Sequence, residues 1–530
     1  MKTLFDKVWD RHVVRDLGDG WALLHIDRHL LHDLSGPPAL AEVAGRGLGI
    51  KRPGLAFATP DHAVSSMPGR SGRTYAGGAP LWQALKDRSR DAGVRFFDLG
   101  EPGQGIVHVM GPELGIVLPG TTVVCGDSHT CTNGGVGALA FGIGSSESTH
   151  VLATQTLRQR KPRRMRVRFE GVLPAGVTAK DLALHLLARE GAAMGVGHAI
   201  EYAGAAVRAL SVEGRLTLCN LSVELGAKVG MVAPDDRTFE YLAGRRFAPQ
   251  GALFERAVAD WRTLGSDADA AFDREVAFDA AQVAPTVTWG TSPDLGVAID
   301  GRVPDPAAAP DAATRQAWQA ALDYMGLEPG RPIAGTPVDW VFIGSCANSR
   351  LSDLREAARV ARGRKVAAGV TAWVVPGSEQ VRRDAEAEGL DRVFRDAGFE
   401  WRAPGCSPSA AAAGARSSWA MTGSPQANCA KAAPSIRCGP PSRGASAADA
   451  RFVRALSRRH KVPLRTAALD VRSAIASGKE SLEMAARRLR HAFLARVHRQ
   501  RSAEATALAH HADDQVELFF LRLFRGAGGR

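Results

Sequence analysis

Up to about Phe399, short β-rich runs take turns with helical stretches. "GIVLPGTTVVCGDS", "DWVFIGSCANS" and "GVTAWVVPGS" read as strands, while "AKDLALHLLARE" and "LSDLREAARVARG" read as helices. This alternation leaves few architectures open. Parallel strands need a long crossover between them, and a helix packed on the sheet supplies it. The body is therefore expected to be α/β with largely parallel sheets. Within it, "RVPDPAAAPDAATRQAWQ" is rich in Pro, Ala and Asp and is expected to be a linker. From Cys406 to about Ser446 the chain becomes alanine, serine and glycine without a hydrophobic period, too long for a loop inside a compact domain. Helical spacing returns in "DARFVRALSRRHKVPLRTAALDVRSA" and "SLEMAARRLRHAFLARVHRQ", with a short strand expected between them.

Length and charge narrow the function classes. A chain of 530 residues is several domains' worth, with apolar content enough for real cores. The start, "MKTLFDKVWDRH", carries charges where a signal peptide needs an apolar stretch, and no apolar run is long enough to span a bilayer. Seven cysteines over this length are no secreted disulfide framework, so a cytoplasmic, reducing location is expected. The net charge of +12 is uneven: residues 451–530 carry +10 and residues 401–450 another +4, leaving residues 1–400 at −2. Only the tail could attract nucleic acid, and only weakly; the body has no electrostatic claim on it.

Several segments concentrate reactive side chains. "CGDSHTCTNGGVGALAFGIGSSE" places Asp127, Ser128 and His129 at a strand end, before a glycine-rich turn into a helix. Such a turn suits an anion, although Asp and Ser capping a helix would look the same. "FATPDHAVSS" supplies Asp61 and His62, and "GQGIVHVMGPE" supplies His108 in an apolar strand. "CNLSVELGAKVGMVAPD" is expected to set Asn220 and Glu224 one helical turn apart. "IGSCANSRLSDLR" puts Cys346 in a small-residue turn at a strand end, with Asn348, Ser349 and Arg350 before a helix.

Together these segments resemble the aconitase superfamily, most closely its isopropylmalate dehydratase large-subunit branch, from "LFDKVWDRHVV" and "LLHIDRHLLHDLSGPPA" to "GFEWRAPGC". The resemblance implies three α/β domains around a [4Fe–4S] cluster, with a fourth domain carried by a separate small subunit. It implies a small dicarboxylate substrate and three cysteine ligands that leave one iron open as a Lewis acid. Carried over by motif, Cys346 is the first ligand and Cys406 the second. His62, His108 and His129 handle the leaving hydroxyl, with Asp61 and Asp127 orienting them. Asn220 and Glu224 hold the iron-bound water, His32 a substrate carboxylate, and Ser128 and Arg350 further substrate contacts. The base that takes the carbon-bound proton is expected on the small subunit.

Two departures stand out. The family has Thr-His-Gly where this chain has Thr132-Asn133-Gly134. Its second and third cysteines form a C-x-x-C that here reads Cys406-Ser407-Pro408-Ser409. The third ligand, expected at Ser409, is absent, and so is the arginine-bearing segment that follows it in the family. Neither Cys429 nor Cys438 has the spacing to replace it. A serine hydroxyl is a poor substitute for thiolate at iron.

The end of the chain has a different kinship. "ATALAHHADDQVELFFLRLFRGAG" and "SLEMAARRLRHAFLARV" resemble the tRNA(Ile)-lysidine synthetase family, an adenylating fold whose Ser-Gly-Gly-x-Asp-Ser loop cradles pyrophosphate. That loop and the tRNA-binding domains are absent in frame. Read one base out of register with GC-rich codons, "CSPSAAAAGARSS" can give Leu-Ala-Leu-Ser-Gly-Gly-Gly-Gly-Ser, close to the missing loop. The expected organisation is thus an aconitase-like body over 1–406, truncated at its C-terminal end. A disordered junction over 407–444 follows, bearing a possible frameshift, then a partial α/β adenylating-type fragment over 445–530. An iron–sulfur hydro-lyase subunit impaired at its cluster, an RNA-modifying ligase, and an inactive fusion product are the three readings.

Overall fold

The computed structural model describes residues 1–406; the junction, the adenylating-type fragment and Ser409 lie outside the described residues. Three parallel sheets build the described chain. The first runs Arg95–Phe96, Ala56–Ala58, Arg28–Leu31, Thr122–Cys125, Leu139–Gly142. Its central strands are buried on both faces, as the continuous apolar run "TVVC" requires. The second runs Val229–Val232, His198–Ala203, Arg163–Glu170, Arg274–Asp279. The third runs Trp340–Ile343, Thr371–Val374, Glu400–Trp401. The α/β expectation holds, with two small antiparallel additions: Val13–Gly18, Trp21–His25 and Thr156–Arg160 form one sheet, Thr286–Thr288 and Gly296–Ala298 a hairpin.

Topology decides where a site can be. In the first sheet the chain lays Arg28–Leu31 down first, moves outward through Ala56–Ala58 and Arg95–Phe96, then returns to the other side with Thr122–Cys125. The direction reverses between Arg28–Leu31 and Thr122–Cys125, and in open α/β sheets a crevice opens at the carboxyl ends of such a pair. His32 and Asp33 follow one of these strands, Asp127 to His129 follow the other, and Asp61 and His62 leave the neighbouring strand end.

The helices follow from local chemistry. Thr178 and Asp181 close a capping box on Ala179–Glu190, the Thr178 amide donating to Asp181 at 2.7 Å. Leu351–Ala361 buries Leu354, Ala358 and Ala361, one stripe at helical spacing. That stripe shares a core with Phe394, Trp401, Cys346 and Cys406, so the two thiols sit at the edge of a packed apolar cluster.

Three local expectations are corrected. His108 lies in a helix, Val107–Glu113, not a strand; the segment is buried all round, so it carries no period by which a strand and a helix could be told apart. Asn220 ends the helix Val212–Asn220, and Glu224 sits in the turn beyond it, where Gly226 takes φ of 77°. The supposed linker is half helical: Asp311 caps Ala312–Met325, and Trp318 packs edge-on against Trp289. Among the described residues no helix is long and apolar enough to cross a membrane.

Candidate active site

Asp127 is the centre of the site. It caps the 3-10 helix Ser128–Val136, its Oδ1 accepting from the His129 amide at 2.8 Å. Asp127 Oδ1 also lies 3.3 Å from His129 Nδ1, and Oδ2 lies 3.3 Å from His62 Nε2 and 3.4 Å from His108 Nε2. The two Oδ2 contacts are ionic in length without the alignment of a hydrogen bond, since His108 Nε2 and Asp127 Oδ2 have no bonded partner among the described residues. One carboxylate therefore faces three imidazoles. Asp61, fully buried, accepts from the Val107 amide at 3.0 Å and holds His62 Nδ1 at 2.5 Å. Glu224 meets His129 Nε2 at 3.3 Å.

These pairings fix charge. Burial alone would discharge His62, but Asp61, Cys406 and Asp127 around it hold its imidazolium well above the ordinary histidine range. His129 is raised likewise against its burial, by Cys346, Asp127 and Glu224. Burial would raise Asp127; the surrounding histidines, His108 first, pull it well below the usual carboxylate range.

The thiols arrive from the third sheet. Ser345, just beyond the strand Trp340–Ile343, takes φ of 73°, an uncommon conformation for a residue with a side chain, and turns the chain sharply at Cys346. Asn220 Nδ2 donates to Cys346 Sγ at 3.2 Å and to Thr132 Oγ1 at 2.7 Å. Cys406 follows the strand Glu400–Trp401 and donates its amide to the Asp61 carbonyl at 2.9 Å. The neighbouring thiols act on each other, which lowers Cys346 and raises Cys406.

The glycines after His129 serve packing. A Cβ on Gly134 would lie 1.7 Å from the Gly230 carbonyl, and one on Gly135 2.6 Å from the Leu216 amide. The helix carrying His129 can reach the second sheet only because these residues are bare.

Of the remaining expected site residues, His32 lies beside His62, ring centroids 4.6 Å apart. The Leu34 amide donates to His32 Nδ1 at 3.2 Å, and Nε2 is buried without a partner among the described residues. Arg350 is buried behind His108, its Nη2 donating to the His108 carbonyl at 3.3 Å. Ser128 is exposed, with no side-chain hydrogen bond recorded among the described residues. Sequence reasoning passed over Asp33, which accepts from the His62 and Ala63 amides at 3.1 and 2.7 Å, and gave Asn133 no place in the site. Asn133 Nδ2 lies 3.5 Å from His108 Nδ1. The Asn133 signal was visible, because it is one of the two departures from the family pattern.

Residues 6–432 match the aconitase family (aconitate hydratase), most of the chain. The chain belongs to the aconitase family. Residues 442–530 match the PP-loop domain. Among curated relatives, the 3-isopropylmalate dehydratase large subunit 1 of Bradyrhizobium diazoefficiens is 63% identical over 413 residues, 78% of this chain and 86% of the relative. The 3-isopropylmalate dehydratase large subunits of Roseiflexus castenholzii and Anaeromyxobacter dehalogenans are each 54% identical over 411 residues, 77% of this chain and 87% and 85% of theirs. As an aconitase-family chain this protein is a lyase, and the family implies an iron–sulfur group. Cys346 and Cys406 supply two buried thiols for one. Among the described residues, two thiols are fewer than the cysteines that usually hold an iron–sulfur cluster.

Proposed function

We propose that the chain is the large subunit of a 3-isopropylmalate dehydratase. On this reading it interconverts 2-isopropylmalate and 3-isopropylmalate by dehydration and rehydration in leucine biosynthesis, in the cytoplasm, impaired by the missing cluster cysteine. The observation that carries this is Asp127 facing three histidines beside two sulfur donors. Loss of hydroxide from a 2-hydroxy diacid needs a proton delivered to the leaving oxygen. His62 and His129, both held as imidazolium, are suited to give it and to take it back on rehydration. Asp61 and Asp127 fix their rings, and His32 Nε2, unpartnered among the described residues, faces a substrate carboxylate on this reading. The carbon-bound proton needs a base that the large-subunit relatives' partner would carry. The chain purified alone should therefore show no turnover of isopropylmalate or citraconate; turnover by the isolated chain would mean that the base is internal.

The PP-loop match supports a second reading, an RNA-modifying ligase. Its chemistry needs backbone donors around pyrophosphate, and the Ser-Gly-Gly-x-Asp-Ser loop is absent from the sequence. ATP–pyrophosphate exchange with lysine and tRNA should stay at background. Weak tRNA binding would not discriminate, because a tail of +10 attracts phosphate whatever the sequence. Exchange above background would overturn the view that this segment is a fusion remnant.

A further inference from the structure

Four carboxylates crowd the proposed site: Asp33, Asp61, Asp127 and Glu224. A dianionic substrate entering there needs cations beyond the histidines, which are already matched by those carboxylates. The segment "SSMPGRSGR" brings one. Arg70 Nη1 donates to the Ser65 carbonyl at 2.6 Å and Nη2 to Gln104 Oε1 at 3.2 Å, both neutral oxygens. It forms no ion pair among the described residues. A Cβ on Gly405 would lie 3.5 Å from Arg70 Nη1 and 3.7 Å from the Asp61 carbonyl, so the guanidinium borders the chain that delivers Cys406.

Among the described residues this guanidinium is held only by neutral acceptors, and its planar fork suits a carboxylate. Burial lowers Arg70 to about 10, with Glu379 opposing, Arg382 adding to the fall and Asp33 opposing. Gln104 is itself fully buried and donates to the Pro60 carbonyl at 3.0 Å, which fixes the acceptor that aims Arg70. Arg70 is only half-buried, so an incoming anion can reach it. Arg350, whose guanidinium meets the His108 carbonyl, is buried almost completely and is less open to an incoming anion.

We propose that Arg70 binds one carboxylate of the dicarboxylate substrate at the entrance beside Cys406 and Asp61. This rests on the dehydratase reading for the class of substrate. The test is calorimetric binding of citraconate, and of the monocarboxylate 2-methylbut-2-enoate, to the full chain and to Arg70→Gln and Arg70→Lys. Unliganded thermal midpoints of the three proteins are compared alongside. The wild-type chain should prefer the dicarboxylate. Arg70→Gln should weaken citraconate about tenfold or more and erase that preference, while Arg70→Lys should fall between, because it keeps the charge and loses the fork. Unchanged citraconate affinity in Arg70→Gln, no citraconate binding by the wild type, or an equal complete loss in both variants would overturn it. Arg70-dependent citraconate binding in a chain whose reconstituted Ser409→Cys variant shows no trace of turnover with a small subunit would refute the dehydratase reading alone. Turnover with Arg70-independent binding would refute this inference alone.

Discussion

Anaerobic reconstitution with iron and sulfide should leave the chain with substoichiometric, oxygen-labile iron. Cubane clusters are held by thiolates, and their stability depends on the number and softness of the donors. Cys346 and Cys406 are well placed, both buried, with Asn220 donating to Cys346. A cluster held by these two thiols without a third would be open to oxygen and to loss of iron. A serine hydroxyl at 409 is a hard, weakly acidic donor that does not deprotonate at neutral pH without help. Ser409→Cys restores the Cys-x-x-Cys spacing from Cys406 and should raise iron retention several-fold. On the dehydratase reading it should not restore full turnover, because the arginine-bearing segment that the resemblance implies after it is also absent from this sequence. Iron near about four per chain with a stable cubane absorption in the unmodified protein would sink the prediction.

What could be read from the sequence was what is encoded locally. Cys346 in a small-residue turn, Asp61 and His62 past an apolar run, and Asp127 to His129 at a strand end were legible because strand termini carry sharp breaks in composition. The helix holding His108 was not, since every residue from Val107 to Glu113 is buried and the pattern has no period to read. Asn220 and Glu224 were placed one turn apart in a helix. The helix ends at Asn220, yet both side chains still reach the site, Asn220 to Cys346 and Glu224 to His129. The glycines of "TNGG" suggested an anion cradle, whereas the distances from Gly134 and Gly135 to neighbouring backbone show close packing. Least legible was Arg70. Its placement depends on Gln104 and Gly405, far away in sequence, and nothing in "SSMPGRSGR" announces a site.

Replacing Asp127 with asparagine should be the most damaging single change to the folded site, costing about 3–5 kcal/mol, the range for breaking a buried charge pair by removing one partner. Asparagine keeps the shape and can still accept from the His129 amide. It cannot balance His62 and His129, which are held as cations in a site where burial opposes charge. Against a typical domain stability of about 5–15 kcal/mol this is a large fraction. The pH dependence separates a charge effect from a packing effect. Asp127 has a depressed folded pKa, so its contribution is present above the unfolded carboxylate value of about 4 and is lost as pH falls through the folded value. His62 and His129 have raised folded pKa values. Their contributions are complete below the unfolded histidine value of about 6.5 and are lost as pH rises through the folded values. Both sets act together between pH about 4 and 6.5, so Asp127→Asn should cost most there. The gap to wild type should narrow at alkaline pH, where the histidines discharge and no longer need the carboxylate. Urea unfolding of both proteins at pH 5.5 and again in alkaline buffer measures the difference, with histidine titration by NMR showing His62 and His129 displaced downward in the variant. A cost that stays the same at both pH values would mean that Asp127 acts as a packing group and helix cap, and that its charge does not organise the three histidines.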